Sequence, residues 1–191
     1  MKLKKLTILL IFPACAVLIP ATSFCKKEEN LKYKKAAALK LNQRGIRAQQ
    51  VRQYSLAFKS FKEASELDPG NAEYLNNAGV ALLQSGKPEQ ALLYLKNAVA
   101  RNSGYSRAYY NIGVCYQKLK RTLPALENYK KAVSLEPRIP EYHFNLGLMY
   151  SRANKKNEAM QSFQTFLKLA PPSYKKPIAD AKKRIKELSK K

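Results

Sequence analysis

Glycine recurs in this chain at a fixed interval of 34 residues, at Gly45, Gly79, Gly113 and Gly147. Twelve residues after each glycine stands an alanine, and four residues further a large side chain. The alanines are Ala57, Ala91, Ala125 and Ala159, and the large residues are Phe61, Leu95, Tyr129 and Phe163. A period of this length indicates an array of stacked units, in which each unit packs only on its neighbours.

Each unit is predicted to consist of two helices. In the third unit the apolar residues Tyr109, Ile112 and Tyr116 are spaced to share one helix face, and Leu126 with Tyr129 starts a second such face. First helices are predicted to begin near Leu39, Ala72, Ser106 and Pro140. Gly86 and Asn154 suit a left-handed turn between paired helices, and prolines near the end of a unit stop its second helix.

The repeated glycines need a packing reason, because an interior glycine costs a helix about 1 kcal/mol relative to alanine. Close approach of the two helices of a unit supplies one. Gly113 is accordingly predicted to face Ala125 on the second helix, while Tyr109, Tyr116 and Tyr129 fill the surrounding volume.

This order of glycine, alanine, large residue and closing proline resembles the tetratricopeptide repeat. The resemblance implies an all-α fold, a right-handed superhelical solenoid of four helix-turn-helix repeats with a concave groove. The repeats are predicted at 38–71, 72–105, 106–139 and 140–173. Residues 174–191 are predicted to form a basic capping helix, with Ile178, Ala181, Ile185 and Leu188 on one stripe.

The first residues are typical of an export leader. Lysines at the start precede an apolar run from Leu6 to Phe24, which Pro13 and Pro20 interrupt, so a leader over 1–24 is favoured over a spanning helix. Cys25, followed at once by charged residues, resembles the lipidation site of bacterial lipoproteins. Residues 25–37 would then attach the lipid and extend the first helix. The resemblance implies a bacterial cell-envelope protein, membrane-anchored on the periplasmic or surface face; simple secretion and an uncleaved anchor remain alternatives.

The charge balance is extreme, at +23 from 36 basic and 13 acidic residues. Such a chain is attracted to anionic surfaces. The tail over 172–191 holds eight basic and two acidic residues, a net +6. Two interpretations stay open for it: a solvated face of the cap, or electrostatic attachment to an anionic membrane.

The residues that enzymes depend on are scarce. All seven glycines occupy repeat or turn positions, which leaves none for a phosphate-binding loop. The single histidine, His143, falls in the packing register of Leu75 and Tyr109 and is predicted to be a packed ring. Cys115 is predicted to be a small buried hydrophobe. The sequence therefore predicts no catalytic residue, no cofactor and no metal.

The resemblance also implies that partners lie along the concave face, which first helices line. The partner-binding candidates there are Asn76, Asn77, Arg107, Tyr110, Asn111, Gln117, Lys118, Phe144, Asn145 and Arg152. Asparagines spaced by 34 residues suit a peptide backbone, since an amide both donates and accepts; they equally suit hydrogen bonds between repeats. The basic residues favour an acidic segment or a carboxylate terminus.

The predicted function is a non-enzymatic scaffold for a protein or peptide partner. A nucleic-acid-binding module and a regulatory accessory subunit of an envelope enzyme are the alternatives. The scaffold hypothesis predicts that replacing Tyr110 and Asn111 by alanine weakens partner capture without changing the melting temperature.

Overall fold

A computed structural model describes residues 21–190, with side chains described from residue 27. The predicted leader up to residue 20 and the side chain of Cys25 lie outside the described part. Nine helices fill the described part, joined by short turns. They are α1 Ala21–Gln50, α2 Tyr54–Leu67, α3 Ala72–Gln84, α4 Pro88–Arg101, α5 Ser106–Lys118, α6 Thr122–Leu135, α7 Pro140–Arg152, α8 Lys156–Leu169 and α9 Lys175–Ser189. None of the helices described is both long and apolar enough to cross a bilayer.

The first helices begin close to where the sequence places them. Helices α3, α5 and α7 start at Ala72, Ser106 and Pro140, as predicted. Helix α1 starts at Ala21 and is continuous for 30 residues, so it runs through residues 25–37, which were expected to extend the first helix ahead of the repeat near Leu39. No proline interrupts this stretch, which is rich in lysine and alanine, so nothing in it stops a helix.

The chain folds as a solenoid of antiparallel neighbours. Each helix packs on the next in sequence, and α3 also contacts α5 directly across α4. Because neighbours are antiparallel, the odd-numbered helices all run the same way, so the four turns within repeats lie on one edge and the turns between repeats on the other. Contact between first helices places them on the inner, concave side. The predicted fold class, an all-α solenoid of four repeats with a capping helix, is confirmed.

The glycines allow close packing of the two helices of a repeat, and the side chain nearest to each is the large residue of the second helix. A Cβ built on Gly113 would lie 2.7 Å from Cε1 of Tyr129, and one on Gly79 would lie 2.6 Å from Cγ of Leu95. The nearest atoms to Gly113 thus belong to Tyr129, which was predicted to fill the volume around the glycine, and at Gly79 the backbone oxygen of the matching alanine, Ala91, also lies 3.3 Å from the built Cβ. A side chain of the second helix, four residues beyond the alanine, crosses over the glycine and fills the space itself.

All four turns within repeats pass through a left-handed residue. These residues are Arg52, Gly86, Lys120 and Asn154, with φ between 57° and 79°. In each turn the next residue donates its N–H to a carbonyl five residues back, as Arg121 does to Tyr116 at 2.9 Å, which closes the first helix with a Schellman motif. The sequence predicts this conformation at Gly86 and Asn154 but not at Arg52 or Lys120, where a long side chain makes it unfavourable.

Helix α9 packs on α8 in the position that the first helix of a further repeat would occupy, and no second helix follows it within the described residues. Ala181 stands 34 residues after Gly147, in the glycine register, and is fully buried. It lies in one cluster with Phe163 and Phe166, against which Ile178, Ile185 and Leu188 also pack. The predicted apolar stripe thus covers the end of the array, while the opposite side of α9 carries its lysines.

Candidate partner-binding site

The candidate residues on the concave face divide by exposure into three groups. Asn76 and Asn111 are buried, with 1% and 9% of their surface exposed. The half-buried group consists of Asn77, Tyr110, Gln117, Phe144 and Asn145. Arg107, Lys118 and Arg152 are exposed. Only this last group is fully available to a partner.

The asparagines of successive repeats are bonded to the repeat before them. In each case an amide donates to a residue 35 positions earlier. The bonds join Asn77 to Asn42 at 3.1 Å, Asn111 to Asn76 at 2.9 Å and Asn145 to the Tyr110 hydroxyl at 3.0 Å. Of the two interpretations left open by the sequence, hydrogen bonding between repeats is the one that the structure contains.

This network sets the spacing of the inner wall. Asn76 accepts from Asn111 and also donates to Asn77 at 3.3 Å, and Asn77 donates to Asn42, so the four side chains together link three repeats. An unpaired amide at a buried position costs about 1–3 kcal/mol, which makes each member depend on the others. The asparagines therefore stabilise the alignment of the first helices. Only the half-exposed ones can also offer a free donor or acceptor to a partner in the groove.

Tyr110 is held on several sides. Its ring stacks on Tyr142 with centroids 4.9 Å apart and lies tilted against Tyr129 at 5.6 Å. Burial raises the pKa of its hydroxyl, and Glu141 nearby adds to the shift. Tyr110 is thus a half-buried, structural part of the groove wall.

Phe144 is the corresponding residue of the fourth repeat. Its ring packs edge-on against Phe163 at 5.9 Å and Phe166 at 5.1 Å. Tyr110 and Phe144 are consequently not free aromatic anchors.

The hypothesis that Tyr110→Ala with Asn111→Ala would leave melting unchanged does not fit this geometry. The first change removes a stacked ring and the second breaks the bond to Asn76. The pair is therefore unsuited to separating binding from stability.

The exposed cations lie at the ends of the first helices. Lys118 and Arg152 are the last residues of α5 and α7, where a positive charge also offsets the helix dipole. Gln117, the partner-binding candidate next to Lys118, accepts a hydrogen bond from the Tyr129 hydroxyl at 2.7 Å. Arg107 lies at the opposite end of α5. The three ion pairs between described residues are Lys62–Glu66, Lys183–Glu187 and Arg184–Asp180.

The reactive side chains are buried in packing positions. His143 is 8% exposed and its Nε2 lies 2.8 Å from the carbonyl oxygen of Pro137, in agreement with the predicted packed ring. Cys115 is fully buried, and this burial raises the pKa of its thiol to about 12. Within residues 21–190, no three His, Cys, Asp or Glu side chains come together in a way that could hold a metal ion.

A depression that sequence reasoning missed lies on the edge formed by the turns between repeats. Its volume is about 590 Å³, and it is open to solvent. It is lined by Lys35, Asp68, Gly70, Asn71, Ala72, Glu73, Asn102 and Tyr105. Its lining residues are far apart in sequence, because they come from α1, from two turns between repeats and from the start of α3, so only the stacking of repeats creates the depression.

Four models of the tetratricopeptide repeat match the sequence, over residues 60–92, 77–122, 106–139 and 140–173. Together they span more than half of the chain, which therefore belongs to the tetratricopeptide repeat family. Proteins of this family are interaction scaffolds, and this chain has that architecture. The matched region begins within the second helix of the first repeat. No curated protein matches the sequence.

Solved structures share the fold over most of the chain. MamA from Desulfovibrio magneticus RS-1 is 28% identical, with a TM-score of 0.63 over 78% of this chain and 90% of that one. YrrB, described as a tetratricopeptide protein with an unusual peptide-binding site, is 20% identical, with a TM-score of 0.64 over 84% and 86%. The first such domain of Spaghetti (RPAP3), bound to the HSP90 peptide SRMEEVD, is 24% identical, with a TM-score of 0.61 over 63% and 95%.

Proposed function

We propose that this protein is a non-enzymatic adaptor that holds an acidic segment of a partner protein along its concave face. The observation that carries the proposal is the combination of a fixed inner wall with exposed cations at its margins. The wall is built by hydrogen bonds between repeats, so it needs little reordering when a partner binds. Arg107, Lys118 and Arg152 supply the charge that selects an acidic ligand.

The same geometry argues against capture of a chain terminus by the first repeat. Family members that clamp chaperone C-termini use a lysine and an asparagine there, where this chain has Asn42 and Ile46. Asn42 is 5% exposed and accepts from Asn77. We therefore propose an internal acidic segment that contacts the second to fourth repeats. The HSP90 peptide bound to the RPAP3 domain, SRMEEVD, is acidic, and that domain has the same fold as this chain.

The groove proposal predicts that Lys118→Ala with Arg152→Ala lowers capture of the partner roughly tenfold, from the loss of two charge contacts. Both side chains are exposed, so the melting temperature should stay close to that of the parent. Capture is measured by cross-linked pull-down from native envelopes, with polyglutamate added as a competitor. Competition should be strong for the parent and weak for the variant.

The matched control for this measurement is Lys96→Ala with Lys130→Ala. These lysines are equally exposed, lie on the second helices and change the net charge by the same amount. If the control pair lowers capture as much as the groove pair, net charge accounts for binding and the concave face does not. If neither pair has an effect, the partner binds elsewhere.

We propose further that Cys25 carries a lipid that tethers the protein to a bacterial envelope membrane. The support is the apolar run that ends at Cys25 and the lysines that follow it. Cys25→Ala is expected to move the protein from the membrane fraction to the soluble fraction after a high-salt wash, which removes electrostatic binding. Retention of the variant in washed membranes would instead indicate an uncleaved anchor.

A further inference from the structure

The edge formed by the four turns within repeats carries a dense band of positive charge. Six cationic side chains lie in or directly after these turns: Arg52, Lys87, Lys120, Arg121, Lys155 and Lys156. Five are exposed and Lys156 is half-exposed. None takes part in the three ion pairs between described residues. We call this the turn edge.

Few carboxylates balance this band. The stretches 50–54, 84–88, 118–122 and 152–156 contain no aspartate or glutamate, and the nearest ones in sequence are Glu89 and Glu158 in the first turns of α4 and α8. The opposite edge is mixed, because Asp68, Glu73 and Glu136 stand there beside arginines. The positive charge is therefore unequally distributed between the two edges.

Two large apolar side chains protrude within the same band. Val51 is 64% exposed and immediately precedes the left-handed Arg52, and Leu123 is 68% exposed two residues after Arg121. Val51 and Leu123 belong to different repeats and stand singly, and single exposed apolar side chains are ordinary on a surface; their relevance is that both lie among the cations of this band. A partner that pairs with the cations and also accepts hydrocarbon would contact both.

We propose that the turn edge docks on an anionic lipid bilayer, with lysines and arginines at the head groups and Val51 and Leu123 inserted between them. Neighbouring turns are about 10 Å apart, the distance between packed helices, so the edge presents rows of charge without a cavity. A fluid anionic surface fits such an edge better than a single-stranded nucleic acid, because sequence-tolerant binding of single strands relies on exposed aromatic rings. The only aromatic residue in the four stretches is the half-buried Tyr54. An anionic bilayer also fits better than a duplex, because non-specific duplex binding is electrostatic and makes no use of Val51 and Leu123.

Docking here fixes the orientation of the molecule. Helix α1 runs toward the turn edge, and its first residues extend beyond the opposite edge. From Ala21 to Leu39 this extension is about 25 Å long at the usual rise of a helix. The docked bilayer is thus on the far side of the array from Cys25, so a molecule tethered there would meet a second, facing membrane through the turn edge. Lys118 and Arg152 end α5 and α7 beside this edge, so docking would compete with an acidic segment at that end of the groove.

The test uses the full chain and exploits the absence of tryptophan from the sequence. Leu123→Trp places a single reporter on the turn edge, and Leu93→Trp places one at a position with nearly the same exposure, 63%, on α4. Each is mixed with vesicles of equal parts phosphatidylglycerol and phosphatidylcholine, or of phosphatidylcholine alone. With the anionic vesicles, the Leu123→Trp emission should shift to shorter wavelength and be quenched by brominated acyl chains, while the Leu93→Trp emission stays unchanged.

A charge change on the edge completes the test. Lys120→Glu with Arg121→Glu, in the Leu123→Trp background, should weaken vesicle binding by at least roughly 30-fold, since each cation near an anionic surface contributes a factor of about 5. Lys96→Glu with Lys130→Glu makes the same change in net charge on second helices and should have little effect.

Other outcomes would overturn the proposal. Equal responses of the two tryptophans, or vesicle binding without a Leu123→Trp response, would assign attachment to the leader or to α9. A Leu123→Trp response to DNA or polyglutamate but not to vesicles would assign the edge to a different class of partner. Binding that survives Lys120→Glu with Arg121→Glu would show that the band is not used.

Discussion

Gly113→Leu is expected to lower the free energy of unfolding by at least about 3 kcal/mol, and the melting temperature by about 10 °C. The Cβ alone would lie 2.7 Å from Cε1 of Tyr129, whose ring is fully buried and bonded through its hydroxyl to Gln117. The gain in helix propensity of about 1 kcal/mol is too small to offset this clash. Thermal and urea unfolding, followed by circular dichroism, measure the effect.

The matched control is Gly70→Ala in the turn between the first two repeats. A Cβ there meets only Asp68, with its Oδ1 3.9 Å away, so stability should change little. Gly79→Leu is expected to repeat the large loss, because its Cβ would also approach the backbone oxygen of Ala91 at 3.3 Å. A Gly113→Leu protein that melts like the parent would contradict the packing described for every repeat.

Alkaline pH is expected to destabilise the protein progressively above about pH 9, the ordinary pKa of a cysteine thiol. Burial raises the pKa of the Cys115 thiol from 9.0 to about 12, and it also raises the pKa of Tyr129 above the ordinary 10.0. A group with a raised pKa keeps its proton longer in the folded state, so stability is complete below the unfolded pKa and falls as pH rises above it. Each such group contributes about 1.4 kcal/mol per pH unit, which amounts to roughly 4 kcal/mol by pH 11.

Urea unfolding at a series of pH values between neutral and alkaline measures this loss. Tyr129→Phe should cost about 1 kcal/mol at neutral pH, through the hydrogen bond to Gln117, yet flatten the decline at alkaline pH. Tyr33→Phe, which removes a phenol that is 80% exposed, is the control and should leave the pH profile unchanged. A free energy of unfolding that stays level up to pH 11 would show that these groups are open to solvent.

The inner wall shows where prediction from sequence reached its limit. The 34-residue spacing predicted that Asn77, Asn111 and Asn145 share a register, and they do. It did not decide whether their amides face a partner or the preceding repeat. That depends on the separation of first helices, which the structure brings close enough for bonds of 2.9–3.1 Å.

Tyr110 illustrates the same limit for aromatic residues. Its position in the repeat places it on the first helix, but its exposure depends on Tyr142 of the following repeat, which stacks on it. The left-handed turns at Arg52 and Lys120 are a further case, since no local preference of arginine or lysine predicts them. There the closing hydrogen bonds and the packing of the following helix override the residue's own preference.

The sequence by itself determined the repeat, the helix pairs and the capping stripe, because a 34-residue period and helical spacing of apolar residues are local properties written into consecutive positions. Only the tertiary structure decided which atoms lie against each glycine, that the asparagines bond between repeats, and that six cations collect on one edge. The physical reason is that these features depend on distances between atoms of different helices, which stacking sets.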